Sequence, residues 1–381
     1  MTIYFMYFLI PLLVLLSAMF VWRIFFQTSS YTRQTLYPSQ LPIYHEQLTT
    51  GRKNEIHRII RHILTGHSSV IIGLPRTGKT FILNYLRNAN SDYGSDANRL
   101  IFSYLDTVQL NLECAPADFW EKALESLKDN PTLSEYYRTC QKNHFEKSTL
   151  KKLFGQVAKD NRLLVLMLDE CEGLLHRPSL KNAAFFGTLR EFAQDFNVPF
   201  ILVITMNWSL KHFHQATREF HCGGSDYFNF MEQNQFFLGA FSDEQIEIFL
   251  AKNNYRFSSE DEQFIKKYAG GHPELLRAAA EVVMEAPKKH SVEQLQQAFL
   301  DRVPNLLENT LRFLSPKVCQ AFIAVINHSD NLSGLKSELG ELEKRGLLMQ
   351  DEKEVWQVHP QILVEFCKDK TVQELCDRKI A

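Results

Sequence analysis

The chain has 381 residues, and since an ordinary domain has roughly 100 to 200 residues, its length favours two or three domains. Its 42 basic and 44 acidic residues give a formal net charge of -2. This balance excludes the general basic excess with which proteins bind nucleic acid non-specifically, so a nucleic-acid role would need a local patch. The seven cysteines show no spacing typical of a metal site.

The first segment has the composition of a membrane span. Residues 3–26, about two dozen positions, carry no charge except Arg23 and are long enough to cross a bilayer. A cleaved signal peptide is the alternative, but it would have a positive start, a shorter apolar core and a small-residue cleavage site. Basic residues follow the segment and none precedes it, which predicts a single-pass anchor, residues 1–27, with the later domains in the cytoplasm.

A polar linker over residues 28–49 leads into alternating apolar runs and helical patterns. Five runs are predicted strands, at residues 69–73, 100–105, 163–168, 199–206 and 235–238. Helical patterns lie at residues 81–87, 117–127, 149–159, 185–196 and 208–220. Near-continuous apolar strands separated by helices predict an α/β fold with a doubly wound parallel sheet over residues 50–240.

The strand signals stop beyond Phe241. Three or four helices are predicted over residues 241–304, where Ser242 and Ser258 suit helix N-caps. Residues 305–381 are predicted to form a further small domain of helices, ending in a short strand pair at 347–350 and 355–358.

The segment GLPRTGKT, which begins at Gly73, fits the phosphate-binding pattern GxxxxGK[ST]. It follows a predicted strand and precedes a predicted helix, so backbone N–H groups at the helix start can hold phosphate. Lys79 would reach the β and γ phosphates of ATP, and Thr80 would bind Mg²⁺. The expected nucleotide contacts of this loop are Gly73, Pro75, Arg76, Thr77, Gly78, Lys79, Thr80 and Phe81.

A second motif, Asp169 and Glu170, ends the apolar strand at residues 163–168. Asp169 would hold Mg²⁺ through its hydration shell, and Glu170 would orient or deprotonate the attacking water. An acidic turn that caps the next helix is the alternative, but an intact phosphate-binding loop in the same chain disfavours it. Glu172 is a weaker carboxylate candidate, and we interpret it as a solvated surface residue.

With these two motifs the chain resembles P-loop ATPases of the AAA+ and STAND type. The segment TGRKNE at residues 50–55 resembles the glycine–arginine box of STAND modules and of archaeal ATPases related to origin-recognition proteins. The resemblance implies that Gly51 and Arg52 lie beside the nucleotide. The segment FILVITMN at residues 200–207 resembles the sensor-1 strand, which implies that Asn207 or Thr205 touches the γ phosphate or the attacking water.

The segment AGGHPELLR at residues 269–277 resembles the GGxP motif of the helical lid, which implies that Pro273 packs near the nucleotide. The family pattern usually lacks a sensor-2 arginine, yet Arg277 lies one helical turn later and could reach phosphate or face solvent. An arginine finger that completes a neighbour's site would be Arg218, with Arg190 and a purely structural role as alternatives.

Residues 314–367 resemble a winged helix, a fold that binds DNA or protein. The candidate recognition helix, residues 334–345, mixes acidic and basic residues almost evenly, and the turn at residues 351–354 is mainly acidic. Phosphate would be repelled there, so contact with protein is expected and binding of duplex DNA is not.

Taken together, the residues and the resemblance predict a membrane-anchored ATPase that binds and hydrolyses ATP with Mg²⁺ to drive a conformational or assembly switch. Homo-oligomers or a protein partner at the winged-helix-like domain are expected. Two alternatives stay open: an origin-recognition-like ATPase that brings DNA to the membrane, and a scaffold that holds nucleotide without turnover. The presence of Glu170 speaks against the scaffold.

Overall fold

The computed structural model describes residues 51–221, 226–251, 256–287, 289–329, 332–368, 370 and 374. The predicted membrane span, residues 3–26, and the linker, residues 28–49, lie outside the described part of the chain. Within the described ranges, no helix has both the length and the apolar character needed to cross a membrane.

The sheet has five parallel strands: β1 (Ser69–Gly73), β2 (Leu100–Asp106), β3 (Leu163–Asp169), β4 (Phe200–Met206) and β5 (Gln235–Leu238). Their order is β2-β3-β4-β1-β5. The five predicted strands are confirmed, with each end within one residue of its expected position. Because β4 lies between β1 and β3, the carboxyl ends of these three strands meet at one edge of the sheet.

Both faces of the sheet are covered, as the doubly wound prediction requires. Successive residues of β3 point to opposite sides: Leu164, Leu166 and Leu168 join one apolar cluster, and Val165 and Met167 join the other. The helices around the sheet are α1 (Lys53–Leu64), α2 (Lys79–Asn88), α3 (Asn90–Tyr93), α4 (Pro116–Ala123), α5 (Ser134–Lys142), α6 (Lys147–Lys159), α7 (Ala183–Gln194) and α8 (Leu210–Thr217). Sequence analysis did not predict α1, α3 or α5.

Helix α1 covers the sheet with one isoleucine face. Its buried residues recur at the three- and four-residue spacing of a helix face and are Ile56, Ile59, Ile60 and Ile63. The face packs in the same cluster as Ile71 of β1, so α1 brings the preceding Arg52 to the sheet edge where β1 ends.

Four helices follow β5 over the region that we call the lid, residues 241–304: α9 (Asp243–Ala251), α10 (Ser259–Ala269), α11 (Pro273–Glu285) and α12 (Val292–Arg302). Ser258 caps α10 as expected, because its hydroxyl accepts a hydrogen bond from the Asp261 N–H at 3.2 Å.

The boundary between the lid and the C-terminal segment, residues 305–368, falls at the first residue of α13 (Pro304–Arg312). The segment further contains α14 (Pro316–Ile326), α15 (Lys336–Lys344), β6 (Leu348–Gln350), β7 (Trp356–Val358) and α16 (Ile362–Cys367). Strands β6 and β7 pair antiparallel, where the sequence predicts a short strand pair. The winged-helix assignment itself stays a prediction. Core, lid and C-terminal segment all belong to the unit Leu48–Ala381.

Candidate nucleotide-binding site

The loop between β1 and α2 has the backbone conformation of a tight phosphate-binding turn. Gly78, just before α2, has a φ of 96°, a value that glycine adopts without strain. The Thr77 hydroxyl donates to the Leu74 carbonyl at 2.8 Å and closes the loop. Arg76 and Thr80 are exposed, so both side chains remain accessible to a ligand.

Lys79 is buried beneath this loop. Its Nζ donates to the carbonyls of Gly73 and Leu74, each at 3.0 Å, and to Oδ1 of Asn207 at 2.8 Å. Burial lowers the pKa of the Lys79 ammonium, and the nearby carboxylates of Glu172, Glu170 and Asp169 oppose that shift. The loop cation therefore lies at the end of β4, beside the carboxylates that follow β3.

Asp169, the last residue of β3, is buried and held by two hydroxyls. Thr205 of β4 donates to its Oδ1, and Tyr104 of β2 donates to its Oδ2 at 3.0 Å. Burial, followed by the Asp169 charge, raises the pKa of the Tyr104 phenol, which keeps it a proton donor. Hydroxyl partners fix the carboxylate without neutralising its charge, as a cation ligand requires.

Glu170 has a left-handed backbone conformation, with a φ of 50° and a ψ of 54°. Such a conformation costs free energy in a non-glycine residue and is common at functional sites. Its N–H donates to the Thr205 hydroxyl at 2.9 Å, so Thr205 contacts both residues of the second motif. The Glu170 side chain is half-buried, and water can reach it.

Asn207 lies just past β4 and has a different set of partners from Thr205. Its Oδ1 accepts from Lys79, while its N–H and Nδ2 donate to Oε1 of Glu172 at 2.7 and 2.8 Å. Glu172 is 4% exposed, so its interpretation as a solvated surface residue was wrong. It lies in a short buried turn after the strand-end motif, and the apolar residues on either side of it, Cys171 and Leu174, are the signal that could have indicated this.

Arg52 connects the sheet edge to the lid. It is 2% exposed, donates to the Gly239 carbonyl at 2.6 Å after β5, and pairs with Glu55 at 3.3 Å. Its guanidinium lies 4.6 Å from the ring centre of Phe241, the first lid residue. The Gly51 carbonyl accepts from Gln245 of α9 at 2.7 Å. The glycine–arginine box is thus placed at the junction of core and lid.

His272 joins the lid directly to the phosphate-binding loop. Its Nδ1 accepts from the Leu275 N–H at 3.4 Å, so its Nε2 carries the proton and donates to the Pro75 carbonyl at 3.1 Å. Burial lowers the pKa of His272 to about 4. Pro273 is the first residue of α11, where its missing N–H costs nothing. Sequence analysis did not single out His272.

Three predicted site residues lie in other surroundings. Arg277 is half-buried and pairs with Glu274 at 2.8 Å and with Glu281, both on its own helix α11. Glu274 in turn lies 4.0 Å from Arg76 of the loop. Arg218 is exposed in a short turn after α8, a position open to a neighbouring molecule. Phe81 is half-buried in the first turn of α2.

The C-terminal segment also reaches the site, through a residue that sequence analysis did not select. Arg345, just after α15, is 2% exposed and its Nη1 donates to the Asn207 carbonyl at 2.8 Å. A cavity of about 10 Å³ is lined by the loop residues Leu74 and Thr77 together with His272 and Arg345. Loop, lid and C-terminal segment are therefore closely packed here.

Residues 61–209 match the model of a family described as "AAA domain". The Walker-type ATPase of Pyrococcus abyssi has a similar structure, with a TM-score of 0.55 at 12% identity, covering 83% of this chain and 95% of that one. The structure of Drosophila ORC bound to DNA gives a TM-score of 0.43 at 14% identity, over 87% of this chain and 93% of that one. No curated protein matches the chain. The match over residues 61–209 and the fold shared with the Walker-type ATPase are those of a P-loop NTPase core.

The residues at the sheet edge suit ATP and Mg²⁺ chemically. The buried Lys79 ammonium can exchange its two loop carbonyls for phosphate oxygens. The backbone N–H groups of the loop lie at the start of a helix, where they can donate to phosphate. The exposed Thr80 hydroxyl and the Asp169 carboxylate offer the oxygen ligands that Mg²⁺ prefers.

Proposed function

We propose that the chain binds ATP with Mg²⁺ and hydrolyses it. The observation that carries this proposal is the meeting of Lys79, Asp169 and Asn207 at one sheet edge, linked by hydrogen bonds of Lys79 to Asn207 and of Thr205 to Asp169. Phosphate-binding cation, metal-binding carboxylate and a polar strand end are the parts that γ-phosphate transfer to water needs.

In this proposal the chain's own residues position the phosphates and the attacking water and accept its proton. Lys79 neutralises phosphate charge, and Thr80 and Asp169 hold Mg²⁺, which supplies further neutralisation of the phosphates when bound. Glu170, half-buried beside Asp169, accepts the proton of the attacking water, while Asn207 orients the group that reacts. Lys79 must leave the carbonyls of Gly73 and Leu74 when phosphate enters, so binding reorganises the loop.

We further propose that turnover drives a switch and that the protein is held at a membrane by residues 3–26. The close packing of lid and C-terminal segment on the loop supports the switch, because both must adjust when a nucleotide enters. Homo-oligomerisation, with Arg218 completing a neighbour's site, and a protein partner at residues 305–381 belong to the same proposal.

The test is Mg²⁺-dependent ATP hydrolysis by the full chain in mild detergent, beside Glu170→Gln. Removing the general base is expected to lower kcat by about 100-fold or more while ATP still binds. Glu135→Gln changes an exposed carboxylate on α5 and is the matched control, with activity unchanged. Equal turnover by Glu170→Gln and the parent chain would show that this carboxylate is not the base.

The same assay over a range of protein concentrations tests self-association. Specific activity that rises with concentration, and that Arg218→Ala makes independent of concentration, supports a finger supplied by a neighbour. Specific activity that is constant in both chains argues for a site complete in one molecule.

A further inference from the structure

The described residues place one side chain of the C-terminal segment in direct contact with the nucleotide-binding core. Arg345 donates to the Asn207 carbonyl through Nη1, and its Nε and Nη2 hold the Glu341 carboxylate at 3.0 and 2.9 Å. All three polar groups of the guanidinium are thus engaged, and the side chain is almost completely buried. Because the guanidinium binds the Glu341 carboxylate on one side and the Asn207 carbonyl on the other, its orientation is fixed.

Asn207 is the residue on which these contacts converge. Its carbonyl is held by Arg345, its N–H and Nδ2 by Glu172, and its Oδ1 by Lys79. Every polar group of Asn207 therefore has a partner, and each partner comes from a different part of the chain. Moving Arg345 would release the backbone at the end of β4 and with it the side chain that faces Lys79.

Charge supports the same arrangement. Glu172 is buried, and its Oε2 has no hydrogen-bond partner among the described residues. The positive charges of Lys79 and Arg345 both lie close enough to interact with the Glu172 carboxylate. The Glu172 carboxylate thus lies buried beside the cations of Lys79 and Arg345. Moving Arg345 away would remove one of its two charge partners, which costs free energy unless Lys79, the residue that binds phosphate, moves as well.

We propose that Arg345 is a positioning residue of the nucleotide site, which acts through Asn207 and makes the C-terminal segment responsive to the γ phosphate. The proposal rests on the proposed function. Entry of phosphate exchanges the loop carbonyls bound to Lys79 for phosphate oxygens and shifts its ammonium relative to Asn207, and the change passes through the Asn207 backbone to Arg345 and α15. Conversely, displacement of α15 by a partner misplaces Asn207 and slows hydrolysis.

The experiment compares the full chain with Arg345→Met, Asn207→Ala and the double variant, and measures kcat and the affinities for ADP and a non-hydrolysable ATP analogue. Arg345→Met is expected to lower kcat by about 10-fold or more, because small misplacements at a reacting centre are costly, while ADP affinity changes by less than about 2-fold. In the Asn207→Ala background the same change should lower kcat by less than about 2-fold, since its route of action is gone.

Lys344→Met is the matched control, because Lys344 is the exposed neighbour of Arg345 at the end of α15. It should leave kcat unchanged. Effects of Arg345→Met and Asn207→Ala that multiply, or an equal loss in Lys344→Met, would overturn the proposal by assigning the loss to general damage. If Arg345→Met unfolds, Arg345→Lys replaces it, since one ammonium cannot hold both the carbonyl and the carboxylate, and the same loss is expected.

The two proposals fail in different ways. If the parent chain hydrolyses ATP and Arg345→Met does so equally well, the inference is wrong and the proposed function stands. If the parent chain does not hydrolyse ATP, the proposed turnover is wrong, and the preference for the ATP analogue over ADP tests the inference. Arg345→Met should then reduce that preference by about 10-fold, the size of a lost charge-assisted contact, and an unchanged preference would overturn the inference.

Discussion

At the scale of single residues, the candidate site is held together by neutral partners around buried charges. Asp169 is held by the hydroxyls of Tyr104 and Thr205, and Lys79 by two loop carbonyls and Asn207. Such partners keep a charge in place without cancelling it, so phosphate and Mg²⁺ can still be attracted to it. This is the arrangement that a site for a highly charged ligand needs.

His272 gives the first prediction at this scale. Burial keeps its imidazole neutral in the folded chain down to a pKa of about 4, whereas the unfolded chain takes up the proton below about pH 6.5. Between these values the unfolded state binds more protons, so stability falls as pH falls. Between pH 7 and pH 5, we expect the parent chain to lose about 2 kcal/mol more unfolding free energy than His272→Asn loses.

Denaturant unfolding at the two pH values measures this difference. Asparagine can still cap α11 but does not titrate, so His272→Asn keeps the cap and removes only the proton uptake. The other histidines are common to both chains and cancel in the comparison. The same pH dependence in both chains would mean that protonation of His272 does not oppose folding.

At the scale of elements, the lid is seated by a close backbone contact at its GGxP motif. The Phe241 N–H donates to the Gly271 carbonyl at 2.8 Å, and a Cβ added to Gly271 would lie 2.3 Å from the backbone N and O of Phe241. No side chain fits at this distance. The glycine of the motif is therefore needed for the start of α11 to approach the end of β5 and the phosphate-binding loop.

Gly271→Ala is expected to lower the unfolding free energy by about 1–3 kcal/mol, as overpacking does, and to weaken ATP binding by displacing His272 from Pro75. Gly155→Ala is the control, since a Cβ there meets nothing within 4 Å and α6 should gain about 0.5–1 kcal/mol from losing its glycine. Chemical denaturation measures the unfolding free energy of both variants. An unchanged unfolding free energy in Gly271→Ala would show that the contact between Gly271 and Phe241 leaves room for a methyl group.

Strands were predictable from the sequence because each is a largely apolar run, and β1, β3 and β4 are buried on both faces. Helix α1 was not predicted, although its isoleucines follow helical spacing. Lys79 and Asp169 were selected for a different reason: their motifs follow strands, where phosphate and Mg²⁺ chemistry needs them. Asn207 was selected, beside Thr205, through the resemblance to the sensor-1 strand. Arg345 was not, because its partner Asn207 is 138 positions away along the chain.

At the scale of the whole molecule, sheet edge, lid and C-terminal segment meet around the phosphate-binding loop. His272 reaches it from the lid and Arg345 from the C-terminal segment, so occupancy of one loop is connected to the positions of two further regions. That connection is what a nucleotide-driven switch requires. His272 and Arg345 both lie far along the chain from their partners Pro75 and Asn207, which explains why pattern analysis could not find this connection.

The anchor predicted at residues 3–26 has its own test. In a cell fractionation, the full chain should remain in the membrane fraction after washes with high salt and alkaline carbonate and be released by detergent, because an apolar span of about 20 residues is stable in a bilayer. A chain lacking residues 1–27 should appear in the soluble fraction. Recovery of the full chain in the soluble fraction would contradict the anchor.

The most direct test of the central claim is calorimetric binding of ATP with Mg²⁺ to the full chain in mild detergent, beside Lys79→Ala and Lys142→Ala. Lys142 is exposed at the end of α5 and serves as the control for loss of a lysine. The account predicts saturable binding that Lys79→Ala weakens by about 10- to 100-fold, the size of one lost hydrogen bond to a charged group. Binding of equal strength in all three chains, or no binding by the parent chain, would contradict it.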